Sequence, residues 1–178
     1  MPKFRSANRE DADNIAALHA KNWQLNYRGM LDDHYLDHQV IDDREKVWNE
    51  RLSDPDPDLC IILAEEGPEL IGFGCMFFDE NEQYGSYLDN LHVAAEHSGK
   101  GIGKKLMSAL ATEIVRKGKR PDMYLWVLTG NLGAIKLYEK LKGQRKEQLW
   151  ERELGNKAVE KIRYYWPDVS ELILAEPK

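Results

Sequence analysis

One segment limits the fold of this chain more than any other. Leu91-His92-Val93 closes a strand-like run. A turn follows, Ser98-Gly99-Lys100-Gly101-Ile102-Gly103-Lys104, and then a helix that ends near Lys117. Ile102, Leu106, Leu110 and Ile114 recur every four residues along that helix, with Met107 and Val115 beside them. A single apolar stripe at this spacing must bury itself against another layer. The next apolar run, 124–128, follows the helix. A strand, a helix and a strand in this order make a crossover joining two parallel strands. An all-β or all-α chain is thereby excluded.

The flanking segments add hairpins and helices. Residues 3–5 read as a short strand, and 6–11 supply turn and cap chemistry for a helix over 12–27. Its apolar positions Ile15, Leu18, Trp23 and Tyr27 are helix-spaced, with Lys21 and Asn22 interrupting the face. Arg28-Gly29 ends it. A short helix over 32–36 and a longer one over 42–52 follow, the latter stopped by Asp54-Pro55-Asp56-Pro57. The runs 59–64 and 70–78 flank Glu66-Gly67-Pro68 as a hairpin, 80–83 is a polar loop, and 84–93 is the strand that enters the crossover. After the crossover come a helix over 131–141 and two last strands, 144–150 and 159–166. The charged segment 151–157 joins them, turning at Gly155-Asn156. The order β-α-α-α-β-β-β-α-β-α-β-β predicts an α/β fold with a mixed sheet flanked by helices. No linker or repeat divides the 178 residues, which points to one domain over 1–178.

Composition excludes several function classes. A formal net charge of −6 argues against general nucleic-acid binding, which needs a basic surface. The two cysteines, Cys60 and Cys75, sit in apolar strand-like runs with no CxxC or Cys/His cluster, so they read as core thiols and not as zinc ligands. No apolar run approaches the roughly 20 residues of a membrane span, and the start, MPKFRSANRED, lacks the apolar core of a secretion signal. A cytoplasmic protein is expected.

The glycine turn carries chemistry. Glycines 99, 101 and 103 remove side chains where backbone N–H groups would approach a ligand, and a helix N-terminus adds unpaired donors. Lys100 and Lys104 add positive charge. The combination suits a pyrophosphate. The spacing is neither GxxxxGK[ST] nor GxGxxG, which excludes a P-loop and a dinucleotide fingerprint.

This turn, in this order of elements, resembles the GNAT superfamily of acetyl-CoA-dependent N-acetyltransferases. In the family's Gln/Arg-x-x-Gly-x-Gly/Ala pattern, Gly101 and Gly103 match and Ser98 takes the Gln/Arg place. A second stretch is similar to the family's N-x-x-A-x-x-x-Y-E-x-x-G-F helix. Asn131, Ala134, Tyr138 and Glu139 fall in register, and Gly143 comes one residue late. A third, Trp23-x-x-x-Tyr27-Arg28-Gly29 with Tyr35-Leu36, resembles the W-x-x-x-Y-R-G stretch of one bacterial GNAT group.

The resemblance implies a mostly antiparallel sheet of about seven strands, with parallel strands 4 and 5 splayed apart. Acetyl-CoA would be the co-substrate, with no metal. Leu91, His92 and Val93 would offer backbone to its pantetheine arm. Ser98, Gly99, Lys100, Gly101, Ile102, Gly103 and Lys104 would hold its diphosphate, and Asn131, Ala134 and Tyr138 would complete the site. Tyr138 is implied as the acid at the leaving thiolate, and a backbone N–H near Leu91 as the oxyanion donor. Asp89 is the candidate base, acting through water. A purely structural aspartate is the alternative, and His92 and Tyr87 are weaker candidates. Trp23, Tyr27, Tyr35 and Trp126 would line an acceptor pocket or serve as core aromatics. Trp126 stands where ribosomal-protein alanine acetyltransferases of this fold have a glutamate, which lowers that substrate in rank. No cysteine occupies a nucleophile position, so transfer would be direct. The acceptor would be an amine on a small molecule, or a peptide N-terminus or lysine, and a homodimer is possible. Rival readings are a non-catalytic acetyl-CoA sensor and a longer acyl donor.

Overall fold

The structure is a computed structural model describing residues 2–117, 119–152 and 157–175. Its elements are β1 (Lys3–Ser6), α1 (Ala12–Asn26), α2 (Asp33–His38), α3 (Val40–Ser53), β2 (Leu59–Glu66), β3 (Glu69–Asn81), β4 (Gly85–Val93), α4 (Ile102–Lys117), β5 (Met123–Leu128), α5 (Leu132–Lys140), β6 (Gln144–Arg152) and β7 (Ala158–Trp166). The order and type match the sequence reading. The expected Gly155-Asn156 turn lies outside the described residues.

The seven strands form one sheet in the order β1-β2-β3-β4-β5-β7-β6. Only β4 and β5 are parallel, and every other neighbouring pair is antiparallel. The segment expected as a polar loop at 80–83 is partly strand, because β3 runs on to Asn81 and pairs it with Gly85. Asn81 Oδ1 accepts the N–H of Gln83 and Tyr84, so this side chain builds the turn.

Two cores cover the two faces. On one, the α4 stripe of Ile102, Leu106, Leu110 and Ile114 packs with Ile71, Met76, Leu125 and Tyr164. Val115, expected beside that stripe, is instead exposed, since it lies a further 100° around the helix from Ile114. On the other face, Ile15 and Leu18 of α1 and Trp48 of α3 pack on Leu63 and Phe73. A third cluster joins α1 and α2 through Ala20, Leu31, Tyr35 and Leu36. Asn22 does not break the α1 face. It is buried, and its Nδ2 donates to the Val93 carbonyl at 3.0 Å, fastening α1 to the end of β4.

Candidate active site

The parallel pair holds together only over Ser86↔Met123, Tyr87↔Tyr124 and Leu88↔Leu125. Beyond Leu88, β4 keeps its partner β3, and beyond Leu125, β5 keeps β7, but the two no longer pair with each other. A twisted sheet that loses one ladder opens a wedge whose walls carry unpaired backbone groups. A cleft of about 590 Å³ occupies this wedge. The expected splay of strands 4 and 5 is therefore present. One backbone group expected to be unpaired is not, because the Val93 carbonyl is held by Asn22.

The glycine turn forms one end of the cleft. Gly99 and Gly101 have φ of +76° and +83°, a region that L side chains avoid. Gly103 has a different reason: a Cβ there would sit 3.2 Å from Leu137 Cδ2, so its absence lets α4 and α5 approach. Lys105 N–H returns to Gly101 O at 3.1 Å. Among the described residues, the N–H groups of Gly101, Ile102, Gly103 and Lys104 reach no acceptor, as the first turn of a helix requires. These residues border the cleft together with Lys140, an arrangement of free amides and lysines that suits an anion. Lys100 does not border the cleft. It is exposed at the tip of the turn, with its N–H directed back to His97 O.

On the α5 side, Asn131 Oδ1 accepts the Ala134 N–H at 3.2 Å, so Asn131 and Ala134 build the helix N-terminus that borders the cleft. The late glycine also has its explanation. Lys142 takes the left-handed conformation, φ +59°, and Gly143 N–H closes on Tyr138 O at 2.9 Å, a Schellman end in which the glycine abuts Trp166. Tyr138, 6% exposed, stands edge-on to Trp166 at 5.9 Å. Burial, and then the neighbouring Tyr27, push its hydroxyl well above the ordinary tyrosine range, so it stays protonated at any working pH.

At the other end, Trp23, Tyr27, Asp89, Asn90, Trp126 and Val127 border both the cleft and a second chamber of about 200 Å³. Asp89 is the only carboxylate bordering either space among the described residues, and it pairs with Arg51 of α3 at 2.6 Å. Tyr35 departs from expectation. Its ring is buried in the third core cluster and its hydroxyl donates to Asp43, so it supports Trp23 from 6.5 Å without bordering the pocket. Sequence reasoning missed Arg44 and Arg51, which border the second chamber. The signal was present: Arg44, Trp48 and Arg51 share one face of α3, and Trp48 marks it as the inward face.

Two histidines sit behind β4. His19 Nδ1 accepts the indole N–H of Trp48 at 2.9 Å, and its ring lies 4.5 Å from that of His92. Burial lowers both, His92 to about 3, so both are neutral in the folded protein and His92 is no base at neutral pH. Linkage then fixes a direction. In the unfolded chain these imidazoles take up protons below about 6.5, so stability is complete above that value and is lost as the pH falls toward the folded values. Asp11 and Asp43 have lowered folded pKa values and an ordinary value of 3.8, so they lose their contribution only in more acid solution. We expect the unfolding free energy from urea titration to drop between pH 7 and pH 5, with a slope approaching about 1.4 kcal/mol per pH unit for each histidine. His92→Asn should flatten that slope, and an unchanged slope would contradict the burial argument.

Comparison with known proteins agrees with this fold. The family model described as "Acetyltransferase (GNAT) family" matches residues 21–143. The spermine/spermidine N(1)-acetyltransferase of Bacillus subtilis is 34% identical over 83 residues, 44% of this chain and 54% of that protein. The L-methionine sulfoximine/L-methionine sulfone acetyltransferase of Salmonella typhimurium is 30% identical over 111 residues, 53% of this chain and 63% of that protein. The chain spans about half the length of the curated relatives it matches. The PaiA N-acetyltransferase of Thermoplasma acidophilum, solved in complex with coenzyme A, superposes with a TM-score of 0.70 over 93% of this chain and 99% of that one, at 23% identity.

Proposed function

The chain belongs to the GNAT acetyltransferase family, and on that premise we propose that it transfers the acetyl group of acetyl-CoA to a primary amine within a ternary complex, in the cytoplasm. The observation that carries this is the wedge between β4 and β5. It runs from the free amides of the glycine turn, past Tyr138, to Asp89 and Trp126. The free amides and lysines suit the diphosphate, and the unpaired inner edge of β4 suits the amide groups of a pantetheine arm. The buried, protonated Tyr138 hydroxyl can donate to the departing sulfur. The acceptor amine enters from the Trp23, Tyr27 and Trp126 side, where aromatic faces suit a cationic group. Direct transfer is supported by the cysteines, since burial raises both thiols, Cys60 to about 11, and neither borders the cleft.

Calorimetry with acetyl-CoA and a CoA-release assay over a panel of amines test this reading. Association followed by turnover of at least one amine is the expected result. Association with no transfer to any amine would make the protein a sensor, and no association would remove the reading.

Asp89 serves in this scheme as the proton acceptor for the incoming ammonium, through water, with Arg51 holding it in place. Asp89→Asn should lower kcat at pH 7 by about 100-fold. Raising the pH to 9 should recover part of the loss, because more amine then arrives already neutral. An equal deficit at both pH values would assign Asp89 a structural role.

A further inference from the structure

The walls of the second chamber say something about what enters it. Its charged lining consists of Arg44, Arg51 and Lys161 against the single carboxylate of Asp89. Asp43 meets Arg44 at 2.8 Å and Glu151 meets Lys161, but neither acid borders the chamber, and Asp43 also accepts from the Tyr35 hydroxyl. Each of the three cations thus has a carboxylate partner, but those of Arg44 and Lys161 stand outside the chamber, so its own walls carry three cations to one acid.

Two residues of that lining each hold a buried polar atom without a partner. Arg44 is 8% exposed and stacks over Trp23 at 4.6 Å, yet its Nε–H reaches no acceptor. Asn90 directs its Nδ2 to the Asp89 carbonyl at 2.6 Å, which leaves Oδ1 as a buried acceptor with no donor. Buried polar atoms in folded proteins are almost always satisfied, so an orphan donor and an orphan acceptor on two residues that border one cavity suit a ligand that offers the reverse of each once the two side chains turn toward it. A carboxylate accepts from a guanidinium, with charge assistance. An amine N–H donates to an amide oxygen.

From this we propose that the acceptor is a free amino acid or a close analogue, its carboxylate against Arg44 and its amine N–H on Asn90 Oδ1, at the mouth of the cleft that leads to Tyr138. The inference rests on the acetyl-transfer reading above and narrows it. A polyamine, which brings several positive charges and no anion, suits this chamber poorly despite the likeness to a spermine/spermidine acetyltransferase.

The test pairs each L-amino acid with its carboxamide in a CoA-release assay on the full chain, with spermidine alongside. Acetyl-CoA affinity is measured separately by calorimetry. The best amino acid should exceed its amide in kcat/KM by about tenfold or more, the size expected for one charged hydrogen bond. Arg44→Met should bring that ratio close to one while leaving acetyl-CoA affinity unchanged, and Arg44→Lys should restore part of it. If Arg44→Met does not fold, Lys161→Met should still reduce the ratio. Spermidine or the amides emerging as the better substrates, or a ratio that survives in the folded variants, would overturn the proposal while acetyl transfer stands. Absence of acetyl-CoA association in the wild-type protein would instead strike at the underlying reading.

Discussion

Gly101→Asp is expected to weaken acetyl-CoA association at least about 100-fold. Two causes act together. At φ +83° the backbone at this position favours glycine, and a Cβ there costs about 1–2 kcal/mol even though no atom lies within 4 Å to obstruct it. The carboxylate then stands beside N–H groups that were free to meet an anion. Two unit charges about 5 Å apart at an effective dielectric of about 20 repel by about 3 kcal/mol, on the order of a hundredfold in affinity. Gly101→Ala separates the causes, since it keeps the backbone strain and omits the charge. Its affinity should fall by about tenfold or less, and the remainder of the aspartate effect should diminish with added salt. If the aspartate variant melts like the wild type and binds acetyl-CoA equally well, the turn does not hold the diphosphate.

Periodicity and turn chemistry made the fold legible. The four-residue stripe of α4, the proline stop after α3 and the Gly67 hairpin are local features, and each local preference agrees with its final place. The glycine-turn end of the cleft was legible for the same reason, because its contributors lie within two short segments. Individual roles were less so. Gly103 reads like Gly101 on paper, but the first is explained by Leu137 and the second by its φ. Tyr35 and Trp23 both read as pocket aromatics, and only the packing of α2 separates them. The second chamber was the least legible. Arg44 and Arg51 come from α3, about 40 residues before Asp89 and Asn90, and no spacing rule links a helix to a strand on which it packs. Asn22 was misread for a related reason. Its polar side chain was taken to interrupt a face, whereas it satisfies a carbonyl that the opening of the sheet had left without a partner.

Tyr138→Phe tests the reacting end, and its expected signature is a fall in kcat of about 100-fold with KM for acetyl-CoA within about threefold of wild type. The substitution removes one hydroxyl and keeps the ring, so the contacts with Tyr164 and Trp166 persist and the variant should melt close to the wild type. Among the described residues no hydrogen bond is formed by this hydroxyl, yet the residue is buried at the cleft wall and held protonated by that burial. A donor so placed contributes where negative charge develops, which is on the sulfur as the thioester breaks. The ground state carries little charge there, so binding should barely change. Because Tyr138 remains protonated through the alkaline range, wild-type kcat should show no fall on account of its ionisation up to about pH 10. Thiol-ester donors with more acidic leaving groups should lose less in the variant than acetyl-CoA does, since a good leaving group needs less assistance from a proton. A variant that retains full activity, or one whose deficit is the same for every leaving group, would remove Tyr138 from the chemistry and leave it as a wall of the cleft.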